Sequence, residues 1–207
     1  MTVRLAILLS GRGSNFLALH RAIEDGRVPN TEIACVLSNV EDAPGLAKAR
    51  ELGLHIEAVP HRGMKRRAHD TLVVEVLRRL RVDWVCLAGY MRLLTPVFVQ
   101  AFPRRIVNIH PSLLPSFPGL DAQQQAFDYG VRVSGCTVHL VDEGMDTGPI
   151  VDQECVDISG CRTAEQAASL ILAKEHDLYP RALASLLAGK WHVDGRRVIL
   201  NERILER

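Results

Sequence analysis

The sequence predicts an α/β protein built on an open, mostly parallel sheet flanked by helices, with antiparallel strands in the C-terminal half. Three observations carry this expectation. Short apolar runs alternate with helical patterns through the first half, the first run ends in a glycine turn, and after Gly119 two neighbouring runs and a closing hairpin replace the alternation. Strands separated by helices are joined by crossovers and lie parallel, whereas runs joined by a turn lie antiparallel.

In chain order, Val3 to Leu9, Glu32 to Leu37, His55 to Val59, Trp84 to Ala88 and Arg105 to Ile109 read as strands. The segment from Lys65 to Arg81 reads as a helix: Ala68, Leu72, Val76, Leu77 and Leu80 recur at helical spacing, leaving Arg66, Asp70, Glu75 and Arg79 for water. Past Gly119 come a short helix around Ala122 to Tyr129, strands near Cys136 to Val141 and Ile150 to Val156, and a long helix from Thr163. Thr163 and Gln166 fit a capping box, and Pro180 is expected to end or kink that helix. Trp191 to Leu200, around Asp194-Gly195, reads as a hairpin.

A chain of 207 residues, 47% hydrophobic and 24% charged, suits one domain over residues 1–207. Residues 1–107 read as the mainly nucleotide-binding half and 108–207 as the mainly catalytic half. A net charge of +1 gives a polyanion no broad attraction, so nucleic acid is disfavoured, although a local seat for one phosphate is allowed. Five cysteines without a CxxC pair suggest neither a disulfide framework nor zinc, and fit reduced thiols in a cytoplasm. Leu5 to Leu9 is too short to span a membrane, and no targeting segment is evident. EF-hand, HExxH and GxSxG patterns are lacking, so neither a metal nor a serine nucleophile is expected.

Ser10-Gly11-Arg12-Gly13-Ser14-Asn15 joins the first strand to the helical Phe16-Leu17-Ala18-Leu19. A helix start behind a glycine turn exposes unpaired N–H groups and attracts anions. The dinucleotide fingerprint fails, because Phe16 stands at the third glycine position and Ser38-Asn39 supply no acidic ribose ligand. What remains is a Rossmann-like seat for one phosphate, with Gly13 allowing close approach and Ser14 and Asn15 offering donors. A plainer reading, with Ser14 or Asn15 as a simple N-cap, stays open.

The stretch NIHPSLLPSFPG, Asn108 to Gly119, ends the fifth strand on polar residues. Ligands of parallel sheets bind beyond the carboxyl ends of the strands, so Asn108 and His110 are expected at the same edge as Gly13 to Asn15. Two residues apart, they share one side of the strand. Pro111, Pro115 and Pro118 would stiffen the loop that follows. The acidic turn from Val141 to Pro149 offers Asp146 to orient a histidine and favour its protonated form. Structural roles for His110 and for this turn remain the alternatives.

Together, Gly13-Ser14-Asn15, NIHPSLLPSFPG and HLVDEGMDTGPI (His139 to Ile150) closely resemble the phosphoribosylglycinamide formyltransferase family of folate-dependent formyltransferases. The resemblance follows motif order over essentially the whole chain. It implies direct transfer of the formyl group of 10-formyltetrahydrofolate to the amine of glycinamide ribonucleotide in purine synthesis. Asn108, His110 and Asp146 would be catalytic; Gly13, Ser14 and Asn15 would hold the phosphate; Glu175 would approach the same substrate. Folate contacts would come from Arg66, from Met91, Arg92, Leu93 and Leu94, and from Asn108, which adds folate binding to the second half. Without the resemblance, Met91, Leu93 and Leu94 read as core.

Asp121 and Gln123 to Gln125 stand where some relatives carry histidines, and Leu172 where others offer a polar ribose contact. Methionyl-tRNA formyltransferase and formyltetrahydrofolate deformylase share the trio but add domains for which this chain has no room. The deformylase is the enzyme runner-up, and a non-catalytic nucleotide-binding module is the alternative of another class. No metal, nucleic-acid or membrane partner is expected, and monomer and homodimer both remain open.

Overall fold

The computed structural model describes residues 2–200. Its sheet contains β1 (Val3–Leu9), β2 (Thr31–Ser38), β3 (Ile56–Ala58), β4 (Trp84–Leu87), β5 (Ile106–His110), β6 (Val133–Leu140), β7 (Ile150–Asp157), β8 (Trp191–Asp194) and β9 (Arg197–Leu200). The spatial order is β3-β2-β1-β4-β5-β6-β7-β9-β8. The β3 to β5 side is wholly parallel, β6 runs antiparallel to both neighbours, β9 pairs parallel with β7, and β8 and β9 form the expected hairpin.

Alternation along β1 divides the core. Leu5, Ile7 and Leu9 join the cluster with Phe16, Leu19, Leu46, Ala126 and Ile171, whereas Ala6 and Leu8 join Val73, Leu77, Phe98 and Phe102. One face is therefore covered by α1 (Ser14–Glu24), α2 (Pro44–Glu51), α5 (Ala122–Tyr129) and α6 (Ala164–Leu187). The other is covered by α3 (Arg66–Arg79) and α4 (Pro96–Ala101). With both faces covered, the central strands are apolar at successive positions.

Strand order reverses between β1 and β4, because the chain winds outward through β2 and β3 and then returns beneath the sheet through α3. Such a switch point opens a crevice at the carboxyl ends of the two strands. Ser10 to Gly13 leave β1 there, and Gly89 to Leu94 leave β4 beside them. Ser10 N donates to Gly89 O at 2.9 Å.

Two expectations need correction. The helical pattern places Asp70 in water and Ala68 and Leu72 in the core, but α3 buries His69, Asp70, Val73, Val74 and Leu77 and exposes Ala68 and Leu72. The buried stripe is rotated because Asp70 serves a loop on the neighbouring connection, a use that hydrophobic periodicity cannot register. Of the two outcomes expected at Pro180, an end or a kink, the end does not occur, because α6 continues to Leu187. Leu178, Tyr179, Ala182, Leu183 and Leu186 all bury around it, and this packing outweighs the roughly 3 kcal/mol cost of an internal proline. At the start of α6, Thr163 Oγ1 accepts from Gln166 N at 3.3 Å, while Gln166 Oε1 accepts from Arg162 N instead of closing the box on Thr163.

Candidate active site

Gly13 is the N-cap of α1, at φ 73°, and no side chain caps the helix. The simple N-cap reading of Ser14 or Asn15 is thus not what is observed. A Cβ on Gly13 would come within 3.1 Å of the Gly45 Cα, so glycine is demanded by both backbone angle and close approach. First-turn N–H groups left uncapped and aligned with a helix dipole attract anions. Lys48 Nζ donates to Arg12 O at 3.0 Å and brings a cation to its rim.

Asn15 is buried, and its Nδ2 donates to Glu175 Oε2 at 2.6 Å, joining residues 160 positions apart. Glu175 is itself buried on α6, and burial, partly offset by the Asn15 bond, pushes its carboxyl up to about 7. Glu175 is thus not an exposed charge on its helix.

The second cluster is built by cross-strand register. Asn108 and His110 on β5 face His139 and Thr137 on antiparallel β6. His139 Nδ1–H donates to Leu140 O at 3.0 Å, which leaves Nε2 to accept from Asn108 Nδ2 at 3.1 Å. The amide of Asn108 is thereby oriented, with one N–H still unspent by this bond. His110 Nε2–H donates to Phe117 O at 2.8 Å, and Asp146 Oδ2 lies 3.5 Å from its Nδ1. The other carboxylate oxygen, Oδ1, is 3.6 Å from His139 Nε2, so Asp146 sits between the two rings.

Loop connections fix this cluster. Thr137 Oγ1 donates to Ser112 O at 2.7 Å and accepts from Leu114 N at 3.0 Å, which holds the proline-rich loop against β6. Gly119 N donates to Asp146 Oδ2 at 2.8 Å. Asp142 Oδ1 accepts from Gly144 N and Thr147 Oγ1, folding the acidic turn upon itself.

Burial lowers the pKa of His110, outweighing the Phe117 carbonyl and Asp146, which both raise it. The carboxylate therefore favours the protonated ring as expected, but burial wins and the resting imidazole is held towards its neutral form. For Asp146, burial raises the pKa but is outweighed by His139, the Gly119 N–H and His110, which together hold it low.

The residues expected to meet folate follow β4. Met91 is 65% exposed and Leu93 43% exposed, while only Leu94 is buried, so the core reading fails for the first two. An apolar pair held in water by a loop fits a flat aromatic ligand. Arg92 is half-buried, with Nε and Nη2 lacking a hydrogen-bond partner among the described residues. Arg66 is exposed at the start of α3, one helical turn before the buried Asp70. His139 escapes the sequence reading except as the first letter of a motif. Its signal lies in register, since antiparallel pairing of the fifth and sixth strands sets it opposite Asn108.

The chain is similar to known proteins over most of its length. Residues 3–183 match the formyl transferase family model. Over 188 residues, 90% of the chain, the protein is 44% identical to the trifunctional purine biosynthetic protein adenosine-3 of Drosophila pseudoobscura pseudoobscura, but spans only 14% of that relative's length. It is 38% identical over 211 residues to the chloroplastic phosphoribosylglycinamide formyltransferase of Arabidopsis thaliana, covering 97% of this chain and 71% of the relative. The crystal structure of glycinamide ribonucleotide transformylase 1 from Symbiobacterium toebii superposes with a TM-score of 0.93 at 44% identity, covering 96% of this chain and 94% of that one. Among the described residues, no helix is long and apolar enough to cross a membrane.

Proposed function

This chain belongs to the formyl transferase family, and from that premise we propose that it moves the formyl group of 10-formyltetrahydrofolate onto the amine of 5′-phosphoribosylglycinamide, giving formylglycinamide ribonucleotide and tetrahydrofolate. The observation that carries the reading is an uncapped helix start suited to a phosphate in the same molecule as a cluster of buried His110 and His139 with half-buried Asp146 and Asn108. Gly13, Ser14 and Asn15 hold the phosphate and Glu175 meets the ribose end. Met91 to Leu94, Arg66 and Asn108 receive the folate.

The amine attacks the formyl carbon, a C–N bond forms, and the carbonyl electron pair moves onto oxygen. Asn108 donates its remaining Nδ2–H to that oxygen, a stabilisation typically worth about 100-fold or more. The nitrogen that has attacked must lose a proton. His110, neutral at rest with Nε2–H committed to Phe117 O, has a basic Nδ1 to accept it. Asp146, held ionised, offsets the imidazolium charge. As the tetrahedral centre collapses, the bond to the folate nitrogen breaks and His110 returns the proton to that nitrogen, so the reaction needs neither metal nor redox partner.

A formyl-transfer assay offering glycinamide ribonucleotide against water alone tests this. The expected outcome is one tetrahydrofolate per formylated nucleotide and negligible formate without acceptor. Formate release independent of the nucleotide would support the deformylase reading instead. The phosphate seat favours the transferase, since water needs no anion site.

A further inference from the structure

We propose that Asp70 is a positioning residue for the folate loop, residues 91–95, fixing its Thr95 end from inside α3 while Ser10 fixes its Met91 end. The inference rests on the reading of Met91 to Leu94 as folate contacts.

Asp70 is completely buried, a rare situation for a carboxylate. Its Oδ2 accepts from Thr95 N at 2.7 Å, a short charge-assisted bond that crosses from α3 to the end of the loop where α4 begins. Its only ion-pair contact among the described residues is His69 Nδ1 at 3.6 Å, beyond hydrogen-bond distance. His69 cannot easily turn towards it, because its Nε2–H is donated to Val59 O at 2.8 Å. A buried carboxylate with so little compensation costs stability wherever an apolar residue would fit. The benefit must lie in what it holds.

At the other end, Met91 N donates to Ser10 Oγ at 2.8 Å, and that hydroxyl passes its own hydrogen to Asn39 Oδ1. Both loop ends are therefore fixed by side chains from separate elements, while Met91 and Leu93 between them stay exposed. Of the buried side-chain atoms lacking partners among the described residues, most cluster here: Asp70 Oδ1, His69 Nδ1, the Tyr90 hydroxyl, Thr95 Oγ1, and Arg92 Nε and Nη2. A loop whose sole purpose was to connect β4 to α4 would not gather unsatisfied polar groups under exposed apolar ones. A heteroaromatic ligand with its own donors and acceptors fits both features.

Tetrahydrofolate binding by calorimetry, steady-state kinetics with both substrates, and amide hydrogen exchange at Thr95 test the proposal. Asp70→Ala leaves the half-buried Thr95 N–H without its partner, so tetrahydrofolate affinity is expected to fall on the order of ten-fold and Thr95 amide protection to collapse. The KM for 10-formyltetrahydrofolate should rise in step, while that for glycinamide ribonucleotide stays within about two-fold. Asp70→Asn keeps an oxygen facing Thr95 N–H and should restore most of the affinity. Ser10→Ala should reproduce a folate-selective loss from the opposite end, and this variant decides the matter if Asp70→Ala does not fold.

Unchanged tetrahydrofolate binding in Asp70→Ala or Ser10→Ala would overturn the proposal. An equal loss of both substrates, or an Asp70→Asn protein as impaired as the alanine variant, would do the same. Wild-type protein that binds no tetrahydrofolate refutes the folate reading itself, a result separate from any variant.

Discussion

The crevice at the ends of β1 and β4 and the cluster at the ends of β5 and β6 use different parts of the chain for chemistry. Around β1, the groups on offer are backbone: uncapped N–H groups at the start of α1 and a glycine whose φ of 73° aims them. Around β5, they are side chains, held opposite one another by antiparallel register and by loops that bond back to the sheet. A backbone site is specified by local geometry, so few residues can build it. A side-chain site is specified by long-range pairing, and one residue can be lost while the frame survives.

The largest expected effect separates the two regions. His110→Ala should lower kcat by about 100-fold or more with little change in the KM for glycinamide ribonucleotide, because the seat for phosphate is elsewhere. Steady-state kinetics with both substrates checks this, and an unchanged kcat would remove His110 from the proton path.

Glu175 sharpens the contrast, as a buried side chain reaching into the backbone-built region. Its carboxyl lies at about 7 in the folded protein against a reference of 4.5, so the folded state binds the proton more tightly. Stability is then highest below the reference value and declines as pH rises through that window, by roughly 3 kcal/mol in full. Thermal melts of wild type and Glu175→Gln at several pH values should converge below the reference value of 4.5 and separate progressively as pH rises to about 7, the glutamine variant being the more stable. Parallel curves would show that Glu175 is not held as described.

Gly13→Ala should cost about 1–3 kcal/mol, since alanine at positive φ is strained and its Cβ would crowd the Gly45 backbone. Urea unfolding measures the cost. Affinity for the phosphate end should fall with it, and a fully stable variant would mean that α1 can start without the left-handed turn.

The same contrast explains what could be read from the sequence. The strand, glycine turn and helix around Gly13 are local, so the seat is legible from contiguous residues, and the alternation of β1 to β5 with helices gives the parallel half directly. Asn108 and His110 are legible as a pair because a strand repeats every two residues. His139 is not, because its partnership with Asn108 exists only once β6 pairs with β5. Asp70 is missed for a related reason: a charged letter on a helix is read as surface unless the loop it serves is known. Pro180 shows tertiary packing overriding a local preference. Asn15 and Glu175 meet across 160 positions, a contact that follows only from the docking of α6 against α1.

The hydroxyl of Tyr179 reaches Val107 O at 2.9 Å and Leu87 O at 3.1 Å, tying α6 to β5 beside Asn108 and to the end of β4 that leads to Met91. Glu175 lies four residues earlier on the same helix, about 6 Å along its axis. Under the proposed function, the interval between the carboxylate that meets the nucleotide and the strands that carry the folate and catalytic segments is set by one turn of a single helix.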